Sequence, residues 1–383
     1  MDLNDLINRV GIKPTNKRNG ALDTYIEDSN QKREKLETLL SEFLRITSDK
    51  SAPVLIAGAG IPVSIAGRVD YSIEYFDEYY SYIYKNINNL DFNIPDVAQL
   101  TGNEKLYNIG SNDKTNLKFG LFLSALINKN IKRGEKIQII TSIPIHCLFY
   151  KLGDAEAYVN IAGDYLGYES KNSKVYTDEV GENAGSFMKG CELYVKKAGS
   201  DLGSDAKNSK IYAEEARNDA GYNMQNCELH VKKAGYRLGD GAKNSKIYAE
   251  EAEDYTGFRI RDCELHVKKA SISLGFYAKN SKIYADKAGD YAGNSMRDGE
   301  LHIKKAGDWL GHDAKNSKIY ADEAGIDAGV NMENSQLFVY NGNLDDSCLR
   351  GNNKIYLGGE SYKEFIQNYP KYINKVKLWE KKS

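Results

Sequence analysis

The chain has few cysteines and prolines, no long apolar run and almost no net charge. Five cysteines in 383 residues are too few for a domain built on disulfides. The longest apolar segment, 54–66, is shorter than the ~20 residues that a membrane-spanning helix needs. A net charge of −2 offers no basic surface for nucleic acid or for an anionic membrane. Because the first residues lack a basic stretch followed by an apolar run, we predict a cytoplasmic protein without a secretory signal.

A unit of 18 residues recurs about eleven times over 154–357. Aliphatic residues stand two apart at matching positions of the units, which indicates a strand with one buried face. So short a unit must bury that face against its neighbours. The pattern predicts a mainly β fold, a single-stranded parallel β-helix over 151–357. Its corners are marked by glycines spaced by 18: Gly167, Gly185, Gly203, Gly221, Gly239, Gly257, Gly275, Gly293, Gly311 and Gly329.

Two positions of the unit have a predicted backbone requirement. We expect the ladder glycines to need either a positive φ or close approach of neighbouring coils. A ladder of Asn and Asp marks the corner before most strands of the repeat, and these residues tolerate the left-handed conformation. That ladder consists of Asn172, Asn208, Asn226, Asn244, Asp262, Asn280, Asp298, Asn316, Asn334 and Asn352.

The regions that flank the repeat are predicted to cap it. Residues 1–150 are expected to form a small α/β or α+β domain, and 358–383 a C-terminal helical cap interrupted near Pro370. A β-helix needs such caps, because an open end exposes its core and unpaired strand edges. The predicted N-terminal elements are helices near 29–47, 70–88 and 114–130 and strands near 53–57 and 136–141.

Two kinds of coil alternate, so the repeat has a longer period of 36 residues. Two outward-facing ladders alternate between lysine and an acidic residue from one coil to the next. Like charges on every rung, ~4.8 Å apart, would repel along the whole sheet. The alternation instead places Lys232 between Glu214 and Glu250. We therefore predict a charge checkerboard that distinguishes the correct strand register from a slip by one coil.

An aromatic ladder runs between the two charged ladders on the outward face of the sheet. Amphipathic aromatic residues are favoured at protein interfaces, so the ladder predicts binding of a protein partner or self-association. An equally simple interpretation is that tyrosine has a high preference for exposed strands. The predicted interaction residues are Tyr212, His230, Tyr248, His266, Tyr284, His302 and Tyr320.

The cysteines and histidines of the repeat are spaced too widely for a disulfide or a zinc site. Cys191, Cys227 and Cys263 recur every second rung, hence ~9.6 Å apart, beyond the ~7 Å Cα limit for a disulfide. The ladder histidines have the same spacing and cannot share one zinc ion. We predict small buried thiols and no metal site.

A third charged ladder, one residue beyond the second, contains an irregularity. Lys269, Lys287 and Lys305 follow one another on successive rungs and so break the alternation of charge. This patch predicts a docking point for an anion or an acidic group of a partner. The alternative is random drift at a solvated corner.

One N-terminal loop could hold a phosphate. Gly58-Ala59-Gly60 follows a predicted strand and precedes Gly67 and Arg68, as in loops that place backbone N–H groups around a phosphate. Val63 stands where the G-x-G-x-x-G motif requires glycine. The alternative is a turn that packs on the first coil.

The repeat resembles a known family of glycine-repeat β-helices. Segments 162–167, 188–195 and 198–199 read Ala-Gly-Asp-Tyr-Leu-Gly, Met-Lys-Gly-Cys-Glu-Leu-Tyr-Val and Ala-Gly. They are similar to the C-terminal domain of the glutamate synthase large subunit and to the glycine-repeat subunit of formylmethanofuran dehydrogenase. The resemblance implies a right-handed β-helix that serves as a scaffold in a larger assembly, with the chemistry on other domains.

Three classes of function compete. The first is a non-enzymatic structural or interaction scaffold without a cofactor, whose aromatic ladder contacts a protein. The second is a carbohydrate-binding β-helix, although lysines beside the acidic residues would lower the pKa that a general acid needs raised. The third is a nucleotide-binding enzyme that uses the Gly58-Ala59-Gly60 loop. We favour the first, with neither nucleic acid nor membrane as partner.

Overall fold

The computed structural model describes residues 22–53, 73–88, 90–101 and 113–380. The chain divides into two compact units. The first comprises Met1–Gly185 with Cys191–Lys196, and the second comprises Ser186–Gly190 with Lys197–Ser383. The first unit contains the N-terminal helices: α1 (Leu22–Ser48), α2 (Ile73–Asn86), α3 (Ile94–Leu100) and α4 (Asp113–Asn130).

Within the described residues, fourteen short strands build a parallel β-solenoid. Within each unit, consecutive strands pair in parallel through the same face positions, as Lys246, Glu264 and Lys282 do on three rungs. The strands are β1 (Lys136–Ile139), β2 (Glu156–Ala162), β3 (Lys174–Val180), β4 (Glu192–Ala198), β5 (Lys210–Ala216), β6 (Glu228–Ala234), β7 (Lys246–Ala252), β8 (Glu264–Ala270), β9 (Lys282–Ala288), β10 (Glu300–Ala306), β11 (Lys318–Glu323), β12 (Gln336–Asn341), β13 (Lys354–Leu357) and β14 (Val376–Leu378).

The fold class predicted from the repeat is confirmed, but the solenoid extends beyond 154–357 at both ends. The predicted strand near 136–141 is β1, which pairs in parallel with β2 and so belongs to the solenoid sheet rather than to a separate cap domain. The predicted helices near 29–47, 70–88 and 114–130 correspond to α1, α2 and α4. Apart from Pro53, the predicted strand 53–57 lies outside the described residues.

The prediction for the C-terminus is half right. Residues Gly359–Asn368 form a helix, α5, but the chain beyond Pro370 forms a short 3₁₀ helix and then β14, which pairs with β13. Phe365 of α5 and Val376 of β14 are both buried. A final strand satisfies the edge of β13 with backbone hydrogen bonds, which a continued helix could not do.

Each coil turns through left-handed backbone conformations. All ten ladder glycines have φ between 63° and 78°, and the Asn/Asp ladder also has positive φ, except at Asn352, where the neighbouring Gly351 takes it. At Gly239 both predicted requirements apply: φ is +72°, and an added Cβ would overlap Cδ1 of Ile247 in the following strand. The predicted backbone requirement is therefore confirmed.

The interior alternates large and small side chains along the stack. Leu238 and Ala242 of one coil are fully buried, as are Thr256 and Ile260 of the next, where the small and large residues exchange places. This exchange keeps each layer filled at the density of a protein interior.

Helix α4 packs directly on the first turn of the solenoid. Asn116 donates to the carbonyl of Pro144 and accepts from the backbone of His146 at 2.9 Å, while the hydroxyl of Ser124 donates to the carbonyl of Cys147. An added Cβ on Gly120 would overlap the carbonyl oxygen of His146, so glycine allows the helix to approach this closely. The first coil is thus covered by a helix.

A candidate interaction face

The aromatic ladder forms an unbroken stack of nine rings in the second unit. Neighbouring ring centroids are 4.3–5.2 Å apart, and neighbouring planes differ by 8–16°. Because this spacing equals the separation of adjacent strands, each ring lies face to face with the next and turns its edge towards solvent. The rings are half-buried and belong to Tyr212, His230, Tyr248, His266, Tyr284, His302, Tyr320, Phe338 and Tyr356.

A carboxylate on the same strand holds each ladder histidine. Nε2 of His230 lies 2.7 Å from Oε1 of Glu228, and His266 and Glu264 are joined in the same way. His302 makes the third such contact, at 2.9 Å. The hydrogen bond from histidine is the main cause that lowers the pKa of Glu228 and of Glu264. The aromatic ladder and the adjacent charged ladder are thereby joined into one ordered surface.

Lysine and acidic residues alternate from coil to coil as predicted. Each lysine of the second ladder, however, pairs with the acidic residue of only one neighbouring coil. Lys232 lies 3.4 Å from Glu214 on the preceding coil, and Glu250 is paired with Lys268 at 3.2 Å instead. Asp286 and Lys304 form the next such pair. The side chains of these pairs are largely exposed, so each contributes less than ~1 kcal/mol.

The structure brings the three lysines of the predicted anion patch together on adjacent strands. Lys269 is in register with Lys287, and Lys287 with Lys305. Lys305 also forms an ion pair of 2.8 Å with Glu323. Binding of an anion by this patch stays a prediction.

The five cysteines are buried and form no disulfide. Cys191, Cys227 and Cys263 are at most 5% exposed, and none of the five cysteines forms a disulfide. Burial raises the pKa of the Cys227 and Cys263 thiols, which makes the thiols poor nucleophiles. The prediction of small buried thiols is confirmed.

The predicted phosphate loop cannot be compared with the structure. Gly58, Gly60, Gly67 and Arg68 lie outside the described residues. A nucleotide site there stays a hypothesis. Over the parts of the chain that are described, no group of three or more His, Cys, Asp and Glu side chains could hold a metal ion.

A cluster of arginine and aromatic residues lies at one corner of the second unit and was not predicted from the sequence. Asp240 is fully buried and accepts a bidentate hydrogen bond from Arg259 at 2.9–3.1 Å, while Arg237 lies 3.7 Å away. Both guanidinium groups also lie over the ring of Phe258. The cluster occurs once and so leaves no periodic signal. The sequence contains one indication of the cluster: Asp240 follows Gly239 at a position where several other coils have Ser, Tyr or Phe.

Comparisons with other proteins add no identification. Searches with the chain find no matching family model, no matching curated protein and no matching solved structure. Within the described ranges, no helix is sufficiently long and apolar to cross a membrane. The parallel solenoid is therefore established by the structure alone.

Proposed function

We propose that the protein is a non-enzymatic scaffold that binds another protein chain through the nine-ring aromatic stack and the charged residues beside it, here called the aromatic face. The observation that carries this proposal is the unbroken stack from Tyr212 to Tyr356. Aromatic residues are enriched at specific protein interfaces, and polar residues form the solvent-accessible rim around them.

The aromatic face is ordered before any partner binds. Each internal ring lies between two neighbours, and hydrogen bonds to Glu228 and Glu264 fix the orientation of two histidines. Binding therefore costs little side-chain entropy, which is the usual penalty for docking flexible residues. This preorganisation favours an interface over a solvated surface of independent tyrosines.

The same geometry disfavours the carbohydrate alternative. Sugars pack on the faces of aromatic rings, and within this stack those faces are covered by the neighbouring rings. The carboxylates beside the rings are bonded to histidine, which lowers the pKa of Glu228 and Glu264. A general acid for glycoside hydrolysis needs a raised pKa.

The resemblance to glycine-repeat β-helices supports the same function. In that family the solenoid is a scaffold of a larger assembly with its chemistry on other domains. We extend the proposal to this chain: it belongs with these scaffolds, and its aromatic face is the surface that joins the assembly.

A binding experiment with matched variants tests this proposal. The immobilised chain would be incubated with extract of the source cells, in parallel with Tyr248→Ser/His266→Ser and with Tyr277→Ser/Tyr291→Ser, which removes two aromatic rings elsewhere. We expect a protein that the wild type and the second variant retain and the first variant loses. Retention by all three, by none, or loss only with Tyr277→Ser/Tyr291→Ser would contradict the proposal.

A further inference from the structure

On each of seven strands, the outward residues on the two sides of the aromatic ring carry opposite charges. On β5 the first outward residue is Lys210 and the one four positions later, beyond the ring of Tyr212, is Glu214. On β6 the order is reversed, with Glu228 and Lys232 on either side of His230. The seven pairs are Lys210/Glu214, Glu228/Lys232, Lys246/Glu250, Glu264/Lys268, Lys282/Asp286, Glu300/Lys304 and Lys318/Asp322.

This arrangement makes the face complementary to itself. Consider a second copy rotated by 180° about an axis that runs parallel to the stack, between the two layers of rings. Its strands follow in the same order along the stack, but its two charged ladders have exchanged sides. Lys246 of one copy then faces Glu250 of the other, and Glu264 faces Lys268. Every one of the seven strands gains two attractive contacts, and the ring edges of one copy meet those of the other.

Other arrangements of two copies bring like charges together. A slip by one coil places Lys246 opposite Lys268 of the other copy. Turning the copies antiparallel with full overlap of the seven strands pairs strands of the same type and places lysine opposite lysine. Among arrangements in which all seven strands overlap, the charge pattern therefore favours the parallel, in-register one, because it alone places every lysine opposite an acidic residue.

We infer that the partner of the aromatic face is a second copy of this chain, related by a two-fold axis that runs along the stacked rings. The inference rests on the proposed function and names its partner. Seven strands at ~4.8 Å, each ~16 Å wide across the charged ladders, bury roughly 540 Å² per copy, or roughly 1,100 Å² in total. This is the small end of specific interfaces, so the pairing should be reversible and weaken in salt.

Residues already on the face suit this pairing. Glu264 is held by His266, and Lys246 and Lys282 on the adjacent rungs attract it without a direct contact. These exposed lysines can reach the facing Glu250 and Asp286 of the second copy while keeping that attraction. Within one copy Glu250 is paired with Lys268 and Asp286 with Lys304, each through one carboxylate oxygen, so a lysine of the second copy would share these carboxylates.

Cross-linking tests the geometry directly. About a parallel two-fold axis, every ring residue faces its own counterpart, so Tyr212→Cys, Tyr248→Cys and Tyr284→Cys should each form a covalent dimer with a short bis-maleimide. An antiparallel pair would cross-link at one rung at most. Ser271→Cys, an exposed position away from the rings, and the wild type with its buried cysteines are the controls. Cross-linking at no rung or at a single rung would overturn the inference.

A pair of charge variants supplies a second test that does not depend on the tyrosines. Lys232→Glu/Lys268→Glu and Glu228→Lys/Glu264→Lys should each self-associate at least tenfold more weakly than wild type in sedimentation velocity. Mixed together, the two variants should recover association, because opposite charges face each other again. Recovery also shows that both variants are folded. A wild type that stays monomeric at ~200 µM in low salt, or a mixture no tighter than its components, would overturn the inference.

The two proposals can fail separately. A monomeric wild type that still retains a different protein through Tyr248 and His266 would support the proposed function and refute self-pairing. Self-association that the charge variants leave unchanged would place the dimer interface elsewhere. Absence of both kinds of binding would refute both.

Discussion

Nε2 of His266 lies 2.7 Å from Oε1 of Glu264, two residues earlier on the same strand, while the ring of His266 stacks between Tyr248 and Tyr284. One side chain thus joins the ring stack to the charged ladder. The same contact recurs in β6 and β10, where His230 and His302 occupy equivalent positions. It is the smallest repeated element of the aromatic face.

This contact predicts a pH dependence. Hydrogen bonding by His266 lowers the pKa of Glu264 from its ordinary value of 4.5. Because the folded-state pKa lies below the unfolded one, the contact stabilises the fold above pH ~4.5, and that stabilisation is lost as the pH falls through the folded pKa. In His266→Phe, which keeps the ring, the Glu264 pKa should rise in a carboxyl NMR titration. Its deficit in thermal stability should shrink from pH 5 to pH 3.

Tyr248→Phe is the control for this titration, since it also preserves a ring of the stack but leaves the histidine in place. The Glu264 pKa should not change in that variant. An unchanged Glu264 pKa in His266→Phe would show that the hydrogen bond is absent in solution.

Replacement of Gly239 should lower the unfolding free energy for two reasons, backbone strain and steric overlap, which can be measured separately. Gly239→Ala forces a Cβ onto a residue with φ of +72° and into Cδ1 of Ile247. Strained φ costs ~1–3 kcal/mol, and the overlap should bring the loss in unfolding free energy to ~2–4 kcal/mol. Ile247→Val removes Cδ1, so the double variant should lose less than the sum of the single losses. Urea denaturation of all four proteins measures this, and strict additivity would rule out the steric part.

Reversal of one charge should destabilise the checkerboard in a salt-dependent way. Lys232→Glu removes the ion pair with Glu214 and stacks three carboxylates on successive rungs, including Glu250. Exposed pairs are weak, so the expected loss is ~1–2 kcal/mol at low salt and less at 1 M salt, where the Debye length is about 3 Å. Denaturation must be followed at a concentration low enough for monomer. A loss that does not depend on salt would mean that the charges do not act electrostatically.

In the corner cluster, removal of Arg259 should destabilise the fold more than neutralisation of the buried carboxylate of Asp240. Arg259→Ala leaves Asp240 fully buried with only the more distant Arg237, which should cost ~2–4 kcal/mol. Asp240→Asn removes the buried charge together with its desolvation cost, and half-exposed Arg259 can turn to solvent, so the loss should be smaller. Equal losses in urea denaturation would show that the carboxylate is not effectively buried.

The 18-residue repeat made most of the solenoid predictable from the sequence. The first and last rungs were not predicted, because the spacing of 18 residues is not kept there. The register of Lys246, Glu264 and Lys282 follows directly from a spacing of 18. The first rung was missed because Ile137 pairs with Ala157 at a spacing of 20, and because Phe149 has the left-handed φ of 60° where later coils have glycine. The last rung was missed because α5 is inserted before Val376.

Local backbone and side-chain detail was less accessible. Trp309 and Tyr255 have φ near +60°, a conformation that their side chains do not favour and that the hydrogen bonds of adjacent coils impose. The aromatic ladder was visible in the sequence, but the bond between His266 and Glu264 depends on rotamers, which no periodicity specifies. Tertiary contacts override local preference at such positions.

Histidine labelling tests the central claim, pairing through the aromatic face, most directly. The chain has five histidines: His230, His266 and His302 on the face, and His146 and His312 away from it. The rate of carbethoxylation by diethyl pyrocarbonate would be measured by mass spectrometry at ~1 µM and at ~200 µM in low salt. We predict that labelling of the three face histidines slows together at high concentration while His146 and His312 react at unchanged rates. Equal rates at both concentrations, or slowing at His312 rather than on the face, would contradict the account.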